Sequence, residues 1–426
     1  MKIPRKRLFW AVGFGHMLND VFMSMGAVIL TFLISAGLGI SNTQYGLALG
    51  FREMTGAVSQ PFFGLRADRD GGRWSGAGGV AWTVSMFTIA LVVVAITHNF
   101  WLMIIPFILS ALGSGAFHPS GTMHAANSDP SRVATNVSWF FLMGQLGLAI
   151  GPFLAGNLLQ IVTDSSLGSL FSSDTTPSDF LYVNHVSSVV IVLLIVPFML
   201  PVFYFMASTI PNIKEHHKLN PPKPKSESGG GLRDLNLPMK AFLLLLLVVS
   251  LRSLATPGSV GFIPRLFEEK GWTPSEYGAI TSIFWVASAL AGVYFGSLAD
   301  RFDRRFVLMG SLIAAAPAFF LLPIVDDTLA YGLAIMAGGL SGGSHSVIVV
   351  LAQEILPSGK GFATGAILGS IFGMGALGTL LIGAIADSIG LASAFQLVAV
   401  TVTIAGVLAL LLPKNQRKSI PVPAPK

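Results

Sequence analysis

The chain has no cysteine among its 426 residues. That excludes disulfides, thiol nucleophiles and any metal site that needs a thiolate. Charge is nearly as scarce: Asp, Glu, Lys and Arg together make 11% of the residues, less than half the roughly 25% of a soluble domain. Water is therefore not the main solvent of the folded chain. No Gly-x-x-x-x-Gly-Lys-Ser/Thr loop occurs, so the anion cradle needed for nucleotide-driven work is missing. Nothing supports hydrolysis or group transfer, and neither an enzyme activity nor a cofactor is expected. His216-His217 is too sparse for a zinc motif, and no metal is expected.

What remains is apolar. Hydrophobic residues make up 53% of the chain, and the mean hydropathy is +0.71. Uncharged stretches such as Val21 to Phe51, Val133 to Thr163, Phe180 to Ile213 and Gly361 to Ala386 follow one another along its length. A spanning helix needs roughly 20 apolar residues. The longest stretch, Trp74 to Ser128, must hold two spans folded back at Thr97-His98-Asn99. The count comes to about twelve transmembrane helices, an all-α membrane protein. The basic start runs into a helix too long for a signal-peptide core, so helix 1 is expected to be retained.

Charge then sets orientation. All 26 lysines and arginines except Arg52, Arg252, Arg265 and Lys270 fall in the termini and in one alternate set of loops. The positive-inside rule places that set, and both termini, in the cytoplasm of a bacterial cell, with the chain multi-pass in the inner membrane. The opposite loops carry mainly acids, among them Glu268, Glu269, Asp326, Asp327 and Asp387. The net charge of +6 follows from this topology and gives no reason to expect nucleic acid. The bilayer is the expected partner.

Two charged loops resemble each other at a fixed offset. Gly64-Leu65-Arg66-Ala67-Asp68-Arg69-Asp70-Gly71-Gly72-Arg73 recurs as Gly296-Ser297-Leu298-Ala299-Asp300-Arg301-Phe302-Asp303-Arg304-Arg305, and upstream Gln44-Tyr45-Gly46 recurs as Glu276-Tyr277-Gly278. Each loop thus closes a helix of equal length, and one half of the chain is a copy of the other. The expected organisation is a six-helix bundle over 1–210, a flexible cytoplasmic linker over 211–238 rich in Lys, Ser, Pro and Gly, a second six-helix bundle over 239–413, and a cytoplasmic tail over 414–426. The loop charges Asp68, Arg69, Arg73, Asp300, Arg301 and Arg305 can bridge the halves in one state and release them in another.

The repeated Gly-x-x-x-Asp-Arg pattern resembles the loop signature of the major facilitator superfamily. Further motifs are similar to its fosmidomycin-resistance branch: Gly15-His16-Met17-Leu18-Asn19-Asp20, Gln60-Pro61, Phe117-His118-Pro119, Ala352-Gln353-Glu354 and Ile385-Ala386-Asp387. Gly147-Leu148-Ala149-Ile150-Gly151-Pro152 resembles the helix 5 signature of proton-linked antiporters; Gly147 and Gly151 also suit close helix packing, and Pro152 a bend. The resemblance implies two six-helix bundles around a central path, alternating access, protons and a small molecule as partners, and a monomer as the working unit.

Ionisable groups inside hydrocarbon cost several kcal/mol unless they face a partner or water, so they mark the candidate site. His16, Asn19 and Asp20 share one face of helix 1. By helical rise, Asp20 lies roughly 18 Å and Arg52 roughly 16 Å above the inner surface of a core about 30 Å thick. The two can meet, either as a static ion pair or as a switch in which Asp20 takes the transported proton or Arg52 an anion. Glu53 points about 100° away from Arg52 and can compete for it. Arg252 in helix 7 is the deep charge of the second half, facing either a central cavity or a carbonyl partner. His118 and His345, in the corresponding helices 4 and 10, can relay protons or simply pack. The expected activity is proton-coupled export of small organic or drug-like compounds. Uptake symport of an organic anion, and a lipid-handling or sensing role on the same fold, stand as alternatives.

Overall fold

The computed structural model describes residues 3–164, 186–219, 239–355 and 360–414. Twelve long helical elements form it: α1 (Arg7–Leu33), α2 (Asn42–Asp70), α3 (Arg73–Thr97), α4 (Phe100–Asn127), α5 (Val133–Asp164), α6 (Met199–Thr209, entered through a 3-10 stretch over Ser188–Phe198), α7 (Met239–Val260), α8 (Pro274–Arg301), α9 (Arg304–Leu321), α10 (Thr328–Ile355), α11 (Lys360–Ile389) and α12 (Leu391–Ala409). Short helices cover Ile213–Leu219 and Ile263–Glu268. No strand occurs among the described residues. Of the expected linker, 220–238 lies outside the described residues, as do 165–185 and the tail beyond 414.

Eleven helical segments are long and apolar enough to cross a membrane. The exception is α2, whose Arg52, Glu53, Arg66, Asp68, Arg69 and Asp70 lower its hydropathy. At 29 residues it is nevertheless about 44 Å long, ample for a span. The fold-back of the longest apolar stretch falls where its turn residues place it. α3 ends at His98 in the left-handed conformation (φ +49°), and Asn99 caps α4 by accepting from the Trp101 and Leu102 amides.

The internal copy is visible in the backbone. Ser41 and Gln44 form a capping box at the start of α2, and Thr273 and Glu276 form another at the start of α8, at the same 232-residue offset. Each box satisfies orphan helix-end amides reciprocally. Tyr45 and Tyr277, one residue further on, are both fully buried.

Within the first half α1 packs on α5 and α4 on α2 and α3; within the second, α8 packs on α10 and α7 on α11 and α12. The halves meet chiefly through α2 against α11 and α5 against α8. Lipid tails are as apolar as leucine and do not drive helices together, so close association depends on small residues. Gly46 faces the Thr379 carbonyl and the Gly383 Cα, and Gly50 faces Leu380 and the Ala376 carbonyl. On the other side Gly278 faces Gly156 and the Pro152 carbonyl, and the Ser282 hydroxyl donates to the Ala149 carbonyl.

These crossings lie toward the end of the bundle that carries the acidic loops. There the Asp387 carboxylate, from α11, accepts from the Asn42 and Thr43 amides at 2.9 Å each and so caps α2 of the other half. Ser35 donates to Glu268 at 2.7 Å, and Arg265 pairs with Glu268 and Glu269. The Tyr45 hydroxyl lies 2.6 Å from the Gly261 carbonyl. Going toward the basic end, Gly373 and Gly369 of α11 have open space where a side chain would stand. The halves are closed at the acidic end and part toward the basic one.

Gly278→Val forces a branched side chain into the Pro152 carbonyl and is expected to cost about 1–3 kcal/mol. Gly310→Val, at a helix position with open space around it, is expected to be nearly neutral. Thermal unfolding of both variants in detergent checks this; equal melting temperatures contradict it.

Candidate functional site

α1 turns the His16, Asn19 and Asp20 face toward α4 and α5. Asp20 Oδ2 lies 3.3 Å from His16 Nε2, and Oδ1 lies 3.7 Å from His118 Nε2 of α4. Asn19 donates to Asp20 Oδ1 at 2.9 Å and to Ser114 Oγ at 3.0 Å, while its own oxygen accepts from Thr83 at 3.0 Å. Both imidazoles are anchored at the far nitrogen. His16 Nδ1 sits 2.7 Å from the Phe140 carbonyl, with its ring stacked on Phe140, and His118 Nδ1 sits 2.8 Å from the Ser114 carbonyl. A carbonyl only accepts, so each Nδ1 is the N–H and each Nε2 is turned to the carboxylate.

Glycine on α5 makes this possible. A Cβ on Gly144 would lie 2.8 Å from Asp20 Oδ2 and strike the His16 ring; one on Gly147 would strike the Met17 carbonyl, and one on Gly151 the Val21 carbonyl. The helix 5 motif is thus the surface on which α1 lies, and Pro152 belongs to the contact between halves.

Arg52 does not form the pair with Asp20 that its depth suggests. Its guanidinium donates to the Met23 and Phe22 carbonyls at 2.8 and 3.0 Å and to Ser110 at 3.0 Å, and stacks on Phe107 and Phe87. It is 2% exposed. Gly26 provides the room, since a Cβ there would lie 2.6 Å from Nη1. The two residues share a depth, but Arg52 is taken up by α1 carbonyls beyond Asp20, and the carboxylate by histidines. Glu53 is half-buried and continues the Gly46–Gly50 stripe, facing α11 at the level where the halves begin to part.

Arg252 has a carbonyl partner. It donates to Ser344 Oγ and to the Ser341 carbonyl, both at 3.0 Å, beside a half-buried His345. Asp20 and Arg252 are separated by the same 232 residues as the repeated loops. Each faces a Ser-Gly-x-x-His turn, Ser114 to His118 on α4 and Ser341 to His345 on α10. This second repeat is present in the sequence at an offset of its own and identifies Ser114 and Ser341, which depth counting overlooks. Thr83 and Gly144 carry no comparable signal.

At the basic end, the ion pairs of Arg66, Arg304 and Arg305 each stay within one half. Arg66 pairs with Asp70 at 3.2 Å, and the Gly71 and Gly72 carbonyls are held by His124 and Ser120. Arg73 lies over Trp74. Asp68 and Arg69 are exposed, as are Asp300 and Arg301. Arg304 pairs with Glu354 and Asp300. Arg305 bonds Asp303 at 2.9 Å and the Leu412 carbonyl at 3.2 Å, and its hydrogen bonds hold the Asp303 carboxyl below the ordinary range.

A repeated twelve-helix bundle with charged loops at one end and a buried polar cluster on its first helix defines a transporter class. The chain belongs to the Major Facilitator Superfamily, whose family model matches residues 12–256 and 241–426. Among its relatives, the fosmidomycin resistance protein of Escherichia coli (strain K12) is 25% identical over 408 residues, covering 96% of this chain and 93% of that one. An uncharacterized MFS-type transporter of Bacillus subtilis (strain 168), YfnC, is 27% identical over 410 residues, covering 95% and 92%. Among solved structures, a bacterial homolog of the human lysosomal transporter Spinster shares the fold at 16% identity, a TM-score of 0.72 and 97% coverage of both chains. The chain is a transporter, not an enzyme.

Arg52 ties α2 to α1 and α4 through the Phe22 and Met23 carbonyls and Ser110. Arg52→Met removes three charge-assisted hydrogen bonds, each worth about 1.5–3 kcal/mol, and is expected to lower the melting temperature sharply. Asp20→Asn keeps a polar side chain of the same size and is expected to unfold near the wild-type temperature. Unfolding curves for both in detergent check this, and a stable Arg52→Met variant contradicts it.

Proposed function

We propose that the chain is a proton-coupled antiporter that exports small organic or drug-like compounds across the bacterial inner membrane. In this reading the basic end faces the cytoplasm, the conformation is open to it, and a monomer does the work. The observation that carries the reading is the Asp20 carboxylate set between two imidazoles, His16 and His118, inside a membrane-spanning helix.

Two Nε2 atoms and a carboxylate converge while each Nδ1 stays bonded to a backbone carbonyl, so a proton can enter or leave between them without moving those anchors. His118 is the most open of the three, its side chain 22% exposed against 10% for Asp20 and 3% for His16, and is the route by which a proton or cargo reaches the acid. Protonation neutralises Asp20 and weakens its grip on α4; cargo entering from the cytoplasm finds the deprotonated cluster. The two events exclude each other, and exclusion is what couples the fluxes. Glu53 faces the parting cleft and Arg252 and His345 form the equivalent surface of the second half, so they are the proposed cargo contacts. Asp68, Arg69, Arg73, Asp300, Arg301 and Arg305 are the proposed gate charges, brought across the cleft when the basic end closes. The glycines of α5, Gly147 and Gly151, with Pro152, let α1 and α8 move against it. The names of the relatives agree with export, fosmidomycin resistance in one case and multidrug resistance in another, the protein MdtG of Dickeya zeae, 31% identical over 128 residues that cover 30% of this chain and 31% of that one.

Internal pH of inverted vesicles or proteoliposomes, challenged with fosmidomycin and a panel of organic compounds, tests the reading. Cargo-induced proton release that disappears in Asp20→Asn is expected. Proton movement in the same direction as cargo supports the symporter instead, and cargo movement with no proton flux removes the coupling.

A further inference from the structure

We propose that His16, Asp20 and His118 form a binding site for a divalent transition-metal ion of the zinc class. Their donor atoms, two imidazole nitrogens and a carboxylate oxygen, all lie within 4.8 Å of one another. The carboxylate stands 3.3 Å from His16 Nε2 and 3.7 Å from His118 Nε2. A tetrahedral ion with bonds of about 2.0–2.1 Å holds its donors roughly 3.3 Å apart. His16 Nε2 is at that spacing from Oδ2 and His118 Nε2 within a few tenths of an ångström of it from Oδ1; the two nitrogens, which lie within 4.8 Å of each other, close on the ion as it binds.

The surroundings are those of ligands rather than of packing residues. Each histidine gives its Nδ1 proton to a backbone carbonyl, Phe140 for His16 and Ser114 for His118, which is the outer-shell contact that orients a metal-binding imidazole and turns its Nε2 lone pair forward. Asn19 donates to the carboxylate from the side. Lone pairs facing a carboxylate repel it unless a proton or a cation stands between them. Gly144 keeps that space clear, because any side chain there would fill it. The three ligands leave the fourth tetrahedral position to water or to a donor atom of the cargo, entering past His118, as in open zinc sites. A sequence search misses the set because His118 lies 98 residues from Asp20 and no cysteine is involved.

The test is equilibrium dialysis of the full chain, purified in detergent without a histidine tag, against Zn2+, together with the visible spectrum on Co2+ addition. The expected result is one Zn2+ per chain and the intense absorption of tetrahedral Co2+. His16→Gln and His118→Gln should each weaken binding at least about tenfold, as loss of even an outer-shell partner can. His98→Gln, at the exposed α3–α4 turn, should bind like wild type. His118→Cys replaces one ligand by another and should retain binding, which separates loss of a donor from loss of the fold. Wild type without stoichiometric Zn2+, or Zn2+ binding unchanged in both glutamine variants, overturns the proposal. Cation binding is read here without cargo or a proton gradient, so this outcome is independent of the antiport reading.

Discussion

The Asp20 carboxylate, the His16 and His118 imidazoles and the Arg52 and Arg252 guanidiniums are among the ionisable groups within helices that cross hydrocarbon, where each must be answered by protein because bulk water is absent. The groups are answered in two ways. Arg52 and Arg252 are answered by backbone carbonyls and serine hydroxyls, partners that neither titrate nor leave. Asp20 is answered by side chains that can gain or lose a proton. The same depth in the membrane thus holds guanidiniums bonded to backbone and hydroxyls and a carboxylate set between imidazoles, and the close α1–α5 contact through Gly144, Gly147 and Gly151 leaves room for that cluster.

The duplication gives the two halves a common frame and lets them differ where charge matters. The capping boxes at the starts of α2 and α8 are equivalent, as are the tyrosines that follow them, and the glycine crossings of α2 with α11 and of α5 with α8 mirror each other. At the equivalent positions of α1 and α7, however, one half carries Asp20 and the other Arg252, each against a Ser-Gly-x-x-His turn. Contact at the acidic end is made on glycine and backbone, joined by the bonds of Asp387 to the α2 amides, Ser35 to Glu268 and Tyr45 to the Gly261 carbonyl.

The fold was legible because its signals are large and one-dimensional: long apolar runs, a turn at Thr97-His98-Asn99, charges confined to alternate loops, and a loop repeated at a fixed offset. α2 shows the limit of hydropathy, since its span is established by the repeat and by position between α1 and α3 and not by its own composition. At the site, helical spacing correctly grouped His16, Asn19 and Asp20. Depth alone then paired Asp20 with Arg52, and it failed because rise along an axis says nothing about azimuth or about backbone competitors. The Phe22 and Met23 carbonyls that claim Arg52 are invisible as letters. The sequence offers His118 only as a separate residue, a relay or a packing histidine; the packing of α4 on α1 is what brings its ring to the carboxylate.

The central claim is that two rigid halves meet at the acidic end, open at the basic end, and exchange that arrangement when Asp20 changes its occupant. The absence of native cysteine makes the chain suited to paired spin labels. Distance distributions measured for Leu65→Cys with Ser297→Cys at the basic end, and for His98→Cys with Thr328→Cys at the acidic end, in wild-type and Asp20→Asn backgrounds, test it most directly. The account predicts that the Asn substitution shortens the first distance and lengthens the second together. Distances that stay unchanged, or that move in the same sense at both ends, contradict it.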